Sequence, residues 1–353
     1  MRLGRENKVQ KKEQEIETRQ SVKNIPHPED INLEILRKKD FTWTRKSLLT
    51  TKDLLLDEID LVLDTAETFS EILTRTVKKV PPLRGKVVIN LFYENSTRTR
   101  SSFELAGKYL SADVTNFSVS TSSVKKGETL QDTAQTLIQM GADAVIIRHA
   151  DAGIPFQLAE FLPPHISLIN AGDGSNEHPT QALLDLYTMK EVFPNLENRK
   201  IAIIGDVLHS RVARSNIWLL QKLGMDIHLC GPPTLLPKSF SDFGVNVHWN
   251  LNDAISNADI IMVLRLQTER QTKGLIPSLD EYNRLFGLDH KKIQIAKKDV
   301  RILHPGPMNR GVEISSELAD DLKYSLINKQ VSNGVAVRMA LLYLLIFASP
   351  KSQ

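Results

Sequence analysis

The chain has a single cysteine, Cys230, among 353 residues. One thiol excludes an internal disulfide and fits a reducing compartment. There is no CxxC, no HExxH and no run of carboxylates, so no metal site is expected. Charge of one sign is scarce too: 45 Lys+Arg against 42 Asp+Glu leave a formal net charge of +3. Nucleic acid, which calls for a clustered basic face, is therefore not an expected partner. Long apolar runs are missing. The longest, Met339 to Ala348, is too short to span a bilayer. The polar first residues hold no apolar stretch of a signal peptide, and Glu13, Glu15 and Glu17 argue against a transit peptide. A cytoplasmic protein with no membrane partner is the expectation. Three catalytic signatures are absent as well. Without GxSxG there is no serine-nucleophile elbow, and there is no P-loop. In place of GxGxxG, the segment after residue 200 ends IIGDVLHS with one glycine, so a dinucleotide is not indicated. Cys230 follows an apolar run with no base nearby and reads as a small buried hydrophobe.

What is present is alternation. Residues 1–46 mix Lys, Arg, Glu and Gln with few large apolar side chains, and read as a polar extension, disordered or partly helical. Globular patterning begins near Leu48, with a helix predicted through 54–73. Apolar runs that read as strands follow at 86–93, 112–118, 143–148 and 166–170, then at 200–205, 226–230, 258–264 and 300–303. Helical patterns lie between them, among others at 128–140, 179–190 and 211–223, and a buried closing helix is predicted at 331–348. This alternation predicts an α/β protein with parallel sheets covered on both faces. Eight strands in two groups of four favour two lobes, although the count alone leaves a (β/α)₈ barrel open.

The chain is organised around Ser96-Thr97-Arg98-Thr99-Arg100, between the 86–93 strand and an amphipathic stretch at 99–110. At a strand-to-helix turn, unpaired N–H groups, hydroxyls and the positive helix end converge. Two hydroxyl–arginine pairs in register make that turn a receptor for a doubly charged anion such as phosphate. A plain Ser/Thr cap followed by solvated arginines would need only one such pair. In open α/β sheets ligands bind beyond the carboxyl ends of the strands. Those ends carry Arg98 and Arg100, Lys125 and Lys126, Arg148 and His149, His178 with Gln181, Arg211, Arg265 with Gln267, and His304-Pro305-Gly306-Pro307. Each residue alone has an ordinary structural reading, but their succession at strand end after strand end does not. A site rich in cations and lacking a nucleophile suits the union of two anionic substrates and the stabilisation of charge in a direct transfer.

On FYENSTRTRSSFE (92–104), SSVKKGETLQDTA (122–134), NAGDGSNEHPTQALLDL (170–186), GDVLHSRVARSN (205–216), RLQTER (265–270) and HPGPMNRGVEI (304–314), the chain resembles the aspartate carbamoyltransferases. The likeness runs from about Leu48 to Ala348. FYENSTRTR and HPTQ mark the carbamoyltransferase superfamily, and RLQTER with the KKGE loop marks its aspartate branch. The related ornithine enzymes carry a cysteine where Pro305 stands. The resemblance implies two Rossmann-like α/β/α domains, with terminal helices packed on the first. A carbamoyl-phosphate domain would span 47–180 plus 329–353, and an aspartate domain 181–328. It implies formation of N-carbamoyl-L-aspartate and phosphate from carbamoyl phosphate and L-aspartate in pyrimidine biosynthesis, with no metal or organic cofactor. By this resemblance Ser96, Thr97, Arg98 and Thr99 hold the phosphate and Arg148 bridges both substrates. His178 and Thr99 donate to the carbamoyl oxygen, and Gln181 orients the carbamoyl amide. Gly306 and Pro307 contribute backbone contacts, since some members have leucine at Gly306. Arg211 and Arg265 hold the aspartate carboxylates and Gln267 positions the amine. Ser122, favoured over Ser123 by register, and Lys126 enter the neighbouring subunit's site in a homotrimer. Association of that trimer with regulatory chains or dihydroorotase stays open, as does another amino-acid acceptor, whereas a silent scaffold ranks well below the enzyme because no strand-end cation is missing.

Overall fold

The computed structural model describes residues 42–118, 129–267 and 274–348. The polar extension up to residue 41, the loop with Ser122 and Lys126, and residues 268–270 of RLQTER lie outside them.

After helix α1 (Leu56–Thr74), the first lobe runs β1 (Val87–Phe92), α2 (Thr97–Tyr109), β2 (Asp113–Ser118), α3 (Leu130–Gln139), β3 (Ala144–His149), α4 (Ile154–Phe161) and β4 (Ser167–Asp173). Helix α5 (Pro179–Lys190) leads to the second lobe. That lobe contains β5 (Lys200–Ile204), α6 (Arg211–Lys222), β6 (Asp226–Cys230), β7 (Asn246–His248), α7 (Leu251–Ile255), β8 (Ile260–Val263), α8 (Leu279–Phe286) and β9 (Arg301–Leu303). Helices α9 (Ser316–Asp320) and α10 (Ile327–Tyr343) close the chain, α10 continuing into a π turn at Leu344–Ala348. All strand pairings are parallel. The sheet orders are β2-β1-β3-β4 and β7-β6-β5-β8-β9. Each reverses direction beside its first strand, between β1 and β3 and between β5 and β8, which are the switch points where open α/β sheets bind ligands.

Strand periodicity explains the layering. Val88, Ala144 and Ile146 of the first sheet and Ile201, Ile203, Ile260 and Met262 of the second enter one continuous core shared with α5, α6 and α10. Their neighbours Ile89, Val145 and Ile147, and Ala202, Ile204, Ile261 and Val263, enter separate cores on the outer faces. Side chains alternate across a strand, so apolar residues at every position require cover on both faces.

The eight strands expected from the sequence are all present. The ninth, β7, was not expected: three residues are too few to carry a period. The closing helix also begins earlier, at Ile327 rather than 331. This alters the reading of the apolar run, because Ile327–Phe347 is 21 residues long and holds an 18-residue window with a mean hydropathy of 1.5, enough by length and composition to cross a membrane. Of that window 72% is buried in the protein, against α1, α2 and α5, as the core helix of a two-lobed fold requires. Cys230 ends β6 fully buried, and burial pushes its thiol up to about 12.

Candidate active site

The anchoring turn follows β1. Ser96 is the N-cap of α2 in extended conformation (φ −155°, ψ 90°), yet its side chain makes no capping hydrogen bond. Thr97 and Arg98 are exposed on the first turn and Thr99 is buried. The hydroxyl of a dedicated cap would be taken by the N2 or N3 amide; here the helix end keeps its donors. Facing it is the segment after β9. Gly306 sits at φ +65°, and a Cβ added there would lie 3.3 Å from Cζ of Arg98. The positive φ favours glycine there. The Gly306–Pro307 peptide is cis. His304 braces this turn: its Nδ1 accepts from the Gly306 amide at 2.8 Å, and its Nε2 lies 3.3 Å from the buried Glu313 carboxylate.

A second convergence lies beside the first. Arg148, at the end of β3, lies 3.3 Å through Nε from Glu94 Oε2, and Arg211, the first residue of α6, donates to the same oxygen at 2.5 Å. One carboxylate thus draws guanidinium groups from both lobes together. Gly172, near the end of β4, makes room for them: its φ is +119°, and a Cβ would lie 2.8 Å from Arg211 Nη1 and 3.0 Å from Arg148 Nη1. Arg148 also donates to the Ala171 carbonyl at 3.1 Å. Nη1 of Arg211 is buried and finds no hydrogen-bond partner among the described residues, a donor left over for an anion.

His178 is the buried N-cap residue of α5, with Pro179 at the first helical position. Its backbone N–H donates to Ser215 Oγ at 2.8 Å. Ser215 donates in turn to Glu177 at 2.9 Å, a carboxylate also bonded by Thr50 and Thr51. Burial first, then the positive charges of Arg148 and Arg338, hold the His178 imidazole well below the ordinary histidine range. It is neutral at pH 7. Thr180 Oγ1 approaches Nδ1 at 3.4 Å. Gln181, one turn along, is buried and donates through Nε2 to Asp185 at 2.8 Å. Beneath α2, Arg338 is buried, bonds Ser102 Oγ and the Gly334 carbonyl at 3.0 Å each, and lies 5.1 Å over the Phe103 ring. Arg265 and Gln267 follow β8, both half-buried, and the Gln267 backbone N–H donates to Asp206 Oδ2 at 3.4 Å.

The structure therefore brings Arg98 to Gly306 and Arg148 to Arg211, and sets His178 and Gln181 on the helix between the lobes. Ser122 and Lys126 lie outside the described residues. Glu94, Gly172, Asp185 and Arg338 were not singled out from the sequence. Glu94 and Asp185 sit inside the quoted motifs, but no spacing rule tells that a carboxylate there faces a guanidinium or an amide far along the chain.

The family model described as the carbamoyl-P binding domain of aspartate/ornithine carbamoyltransferase matches residues 46–191, and that of the Asp/Orn binding domain matches 197–345. The chain belongs to the aspartate/ornithine carbamoyltransferase family. Among its relatives, the aspartate carbamoyltransferase catalytic subunit of Syntrophomonas wolfei is 57% identical over 302 residues, covering 86% of this chain and 96% of the relative. That of Thermosynechococcus vestitus is 53% identical over 313 residues, covering 86% and 95%. Two solved carbamoyltransferases share the fold. Aspartate transcarbamoylase from Trypanosoma cruzi, in complex with N-(phosphonacetyl)-L-aspartic acid, is 28% identical with a TM-score of 0.76 and covers 86% of this chain and 97% of its own. Ornithine carbamoyltransferase from Pyrococcus furiosus is 25% identical with a TM-score of 0.76, covering 87% and 98%.

Proposed function

We propose that this carbamoyltransferase is an aspartate carbamoyltransferase, which transfers the carbamoyl group of carbamoyl phosphate to the amine of L-aspartate. The observation that carries the reading is the meeting of Arg148 and Arg211, one from each lobe, on Glu94 over Gly172. Guanidinium groups from both lobes at one point suit a site that joins two anionic substrates, Arg211 with Arg265 suits an acceptor with two carboxylates, and the relatives named for aspartate support the reading. The first lobe, 47–180 with 329–353, holds carbamoyl phosphate on Ser96, Thr97, Arg98, Thr99 and the Gly306-Pro307 turn. The second, 181–328, holds aspartate with Arg211, Arg265 and Gln267.

The aspartate amine attacks the carbamoyl carbon, and a tetrahedral species forms whose oxygen carries negative charge. Arg98, Thr99, Arg148 and the imidazole N–H of His178 stabilise that oxygen, each donor contributing about 3 kcal/mol. A neutral imidazole suits this role, because it donates without adding a charge beside Arg148 and Arg338. The C–O bond to phosphate then breaks, and the departing phosphate takes the amine proton. Neither a metal nor an organic cofactor enters this step. We further infer a homotrimer in the cytoplasm, serving pyrimidine biosynthesis, in which Ser122 and Lys126 complete the neighbouring chain's site.

Phosphate release from carbamoyl phosphate, measured with a panel of amino-acid acceptors, tests the assignment. L-aspartate should be used faster than every other acceptor. Faster release with L-ornithine would overturn it.

A further inference from the structure

The side-chain amide of Gln181 can turn either its oxygen or its NH2 towards the cleft, and the two choices favour different acyl phosphates. What decides between them is Asp185, one turn further along α5 and fully buried. It takes three hydrogen bonds: Gln181 Nε2 at 2.8 Å and Gln330 Nε2 at 2.7 Å on Oδ1, and Asn216 Nδ2 at 3.0 Å on Oδ2.

Backbone groups fix the direction of two of these. Gln330 Oε1 accepts the backbone N–H of His304 at 2.9 Å, which an NH2 could not do, so its NH2 faces Asp185. Asn216 Nδ2 donates to the Val212 carbonyl at 3.0 Å, which can only accept, so its NH2 also faces Asp185. Both oxygens of Asp185 therefore meet donors, and the group acts as an acceptor. Burial raises its pKa to about 6, which still leaves it a carboxylate at neutral pH. Against such a group Gln181 can present only its NH2. Its Oε1, which accepts no hydrogen bond among the described residues, is left for the cleft.

We propose that Asp185 is a positioning residue that sets the polarity of the Gln181 amide, so that the cleft selects an acyl phosphate bearing an NH2 group over one bearing a methyl group. The inference rests on the reading of Gln181 as the partner of the carbamoyl amide. A carbamoyl NH2 satisfies the waiting Oε1, whereas the methyl of acetyl phosphate leaves it unpaired, and sites built around a hydrogen bond reject analogues that cannot make it. Were the Gln181 amide reversed, two NH2 groups would face each other.

The test is the affinity of the full-length enzyme for carbamoyl phosphate, acetyl phosphate and inorganic phosphate, measured by direct binding and by competition. Asp185→Leu, similar in size but with no acceptor, should lower the preference for carbamoyl over acetyl phosphate about tenfold, and leave the affinity for inorganic phosphate within about twofold. Asp185→Ala, smaller and likewise without an acceptor, is the second variant should Asp185→Leu fold poorly, and the same ratio is read. Adding Asp185→Leu to Gln181→Ala should lower the preference no further than Gln181→Ala alone. Gln330→Met removes a donor from the same carboxylate but not the bond to Gln181, and should keep the preference. The proposal is overturned if the Asp185 variants keep the preference, if they weaken all three ligands equally, or if Gln330→Met lowers the ratio as much. Loss of preference in Gln181→Ala but not in the Asp185 variants defeats only the role of Asp185. An unchanged preference in Gln181→Ala defeats the reading of Gln181 and this inference with it.

Discussion

His178 shows how position rather than residue type sets chemistry. The same imidazole on the surface would be half-charged near pH 6.5; here burial and two arginines remove that charge. Because the folded chain resists a proton that the unfolded chain takes up below about pH 6.5, stability falls as pH drops through that value. The loss amounts to as much as about 1.4 kcal/mol per pH unit while one proton is at issue. Above that window the contribution is complete. NMR of labelled histidine, assigned by difference from His178→Asn, should show no titration of His178 at or above pH 6.5. A midpoint at the ordinary value would contradict the neutral donor. Arg98, Arg148, Arg211, His178 and Gln181 were all legible as residues at strand ends, since an open parallel sheet displays its carboxyl ends to ligands. Glu94 was not, because its role depends on which two guanidinium groups reach it, and one of these lies 117 positions away.

Among the elements, α10 carries the most structure for the least chemistry. Leu341 is buried in the shared core where α10 meets α1, α2 and α5. Arg338 on the same helix ties it to Ser102, in the helix capped by Ser96. Leu341→Ala should cost about 2–5 kcal/mol through lost burial and a cavity, read as a lower midpoint in denaturant unfolding. Acceptor preference should not change, because the residue touches no site group. A stability loss well under 1 kcal/mol would mean the helix is not a core element. The helix was legible as apolar nearly all round, and its partners were not: Gln330 and Asn333 each bond residues 145 positions earlier. The strands were legible for a different reason, since burial on both faces leaves unbroken apolar runs such as IIMV in β8. β7, with only Asn246, Val247 and His248, has no run to read.

At the scale of the assembly, the proposed homotrimer with shared sites makes a prediction that no single chain can. If Lys126 serves the neighbouring chain and Arg265 its own, Lys126→Ala and Arg265→Ala homotrimers should both be nearly inactive. Mixing equal amounts with verified subunit exchange should restore about a quarter of the sites, since two independent choices of chain must both be right in a cyclic interface. An active Lys126→Ala enzyme would make that lysine an ordinary loop residue. Two inactive variants that mixing does not rescue would put Lys126 in its own chain's site.

The central claim is that one cleft, closed by cations from both lobes, holds both substrates at once. Calorimetric titration with N-(phosphonacetyl)-L-aspartate, which joins a phosphonate to aspartate in one molecule, tests it most directly. The account predicts one molecule bound per chain. Arg98→Ala, on the phosphate side, and Arg211→Ala, on the carboxylate side, should each weaken binding roughly 30-fold or more. No binding, or binding that survives both substitutions unchanged, would contradict it.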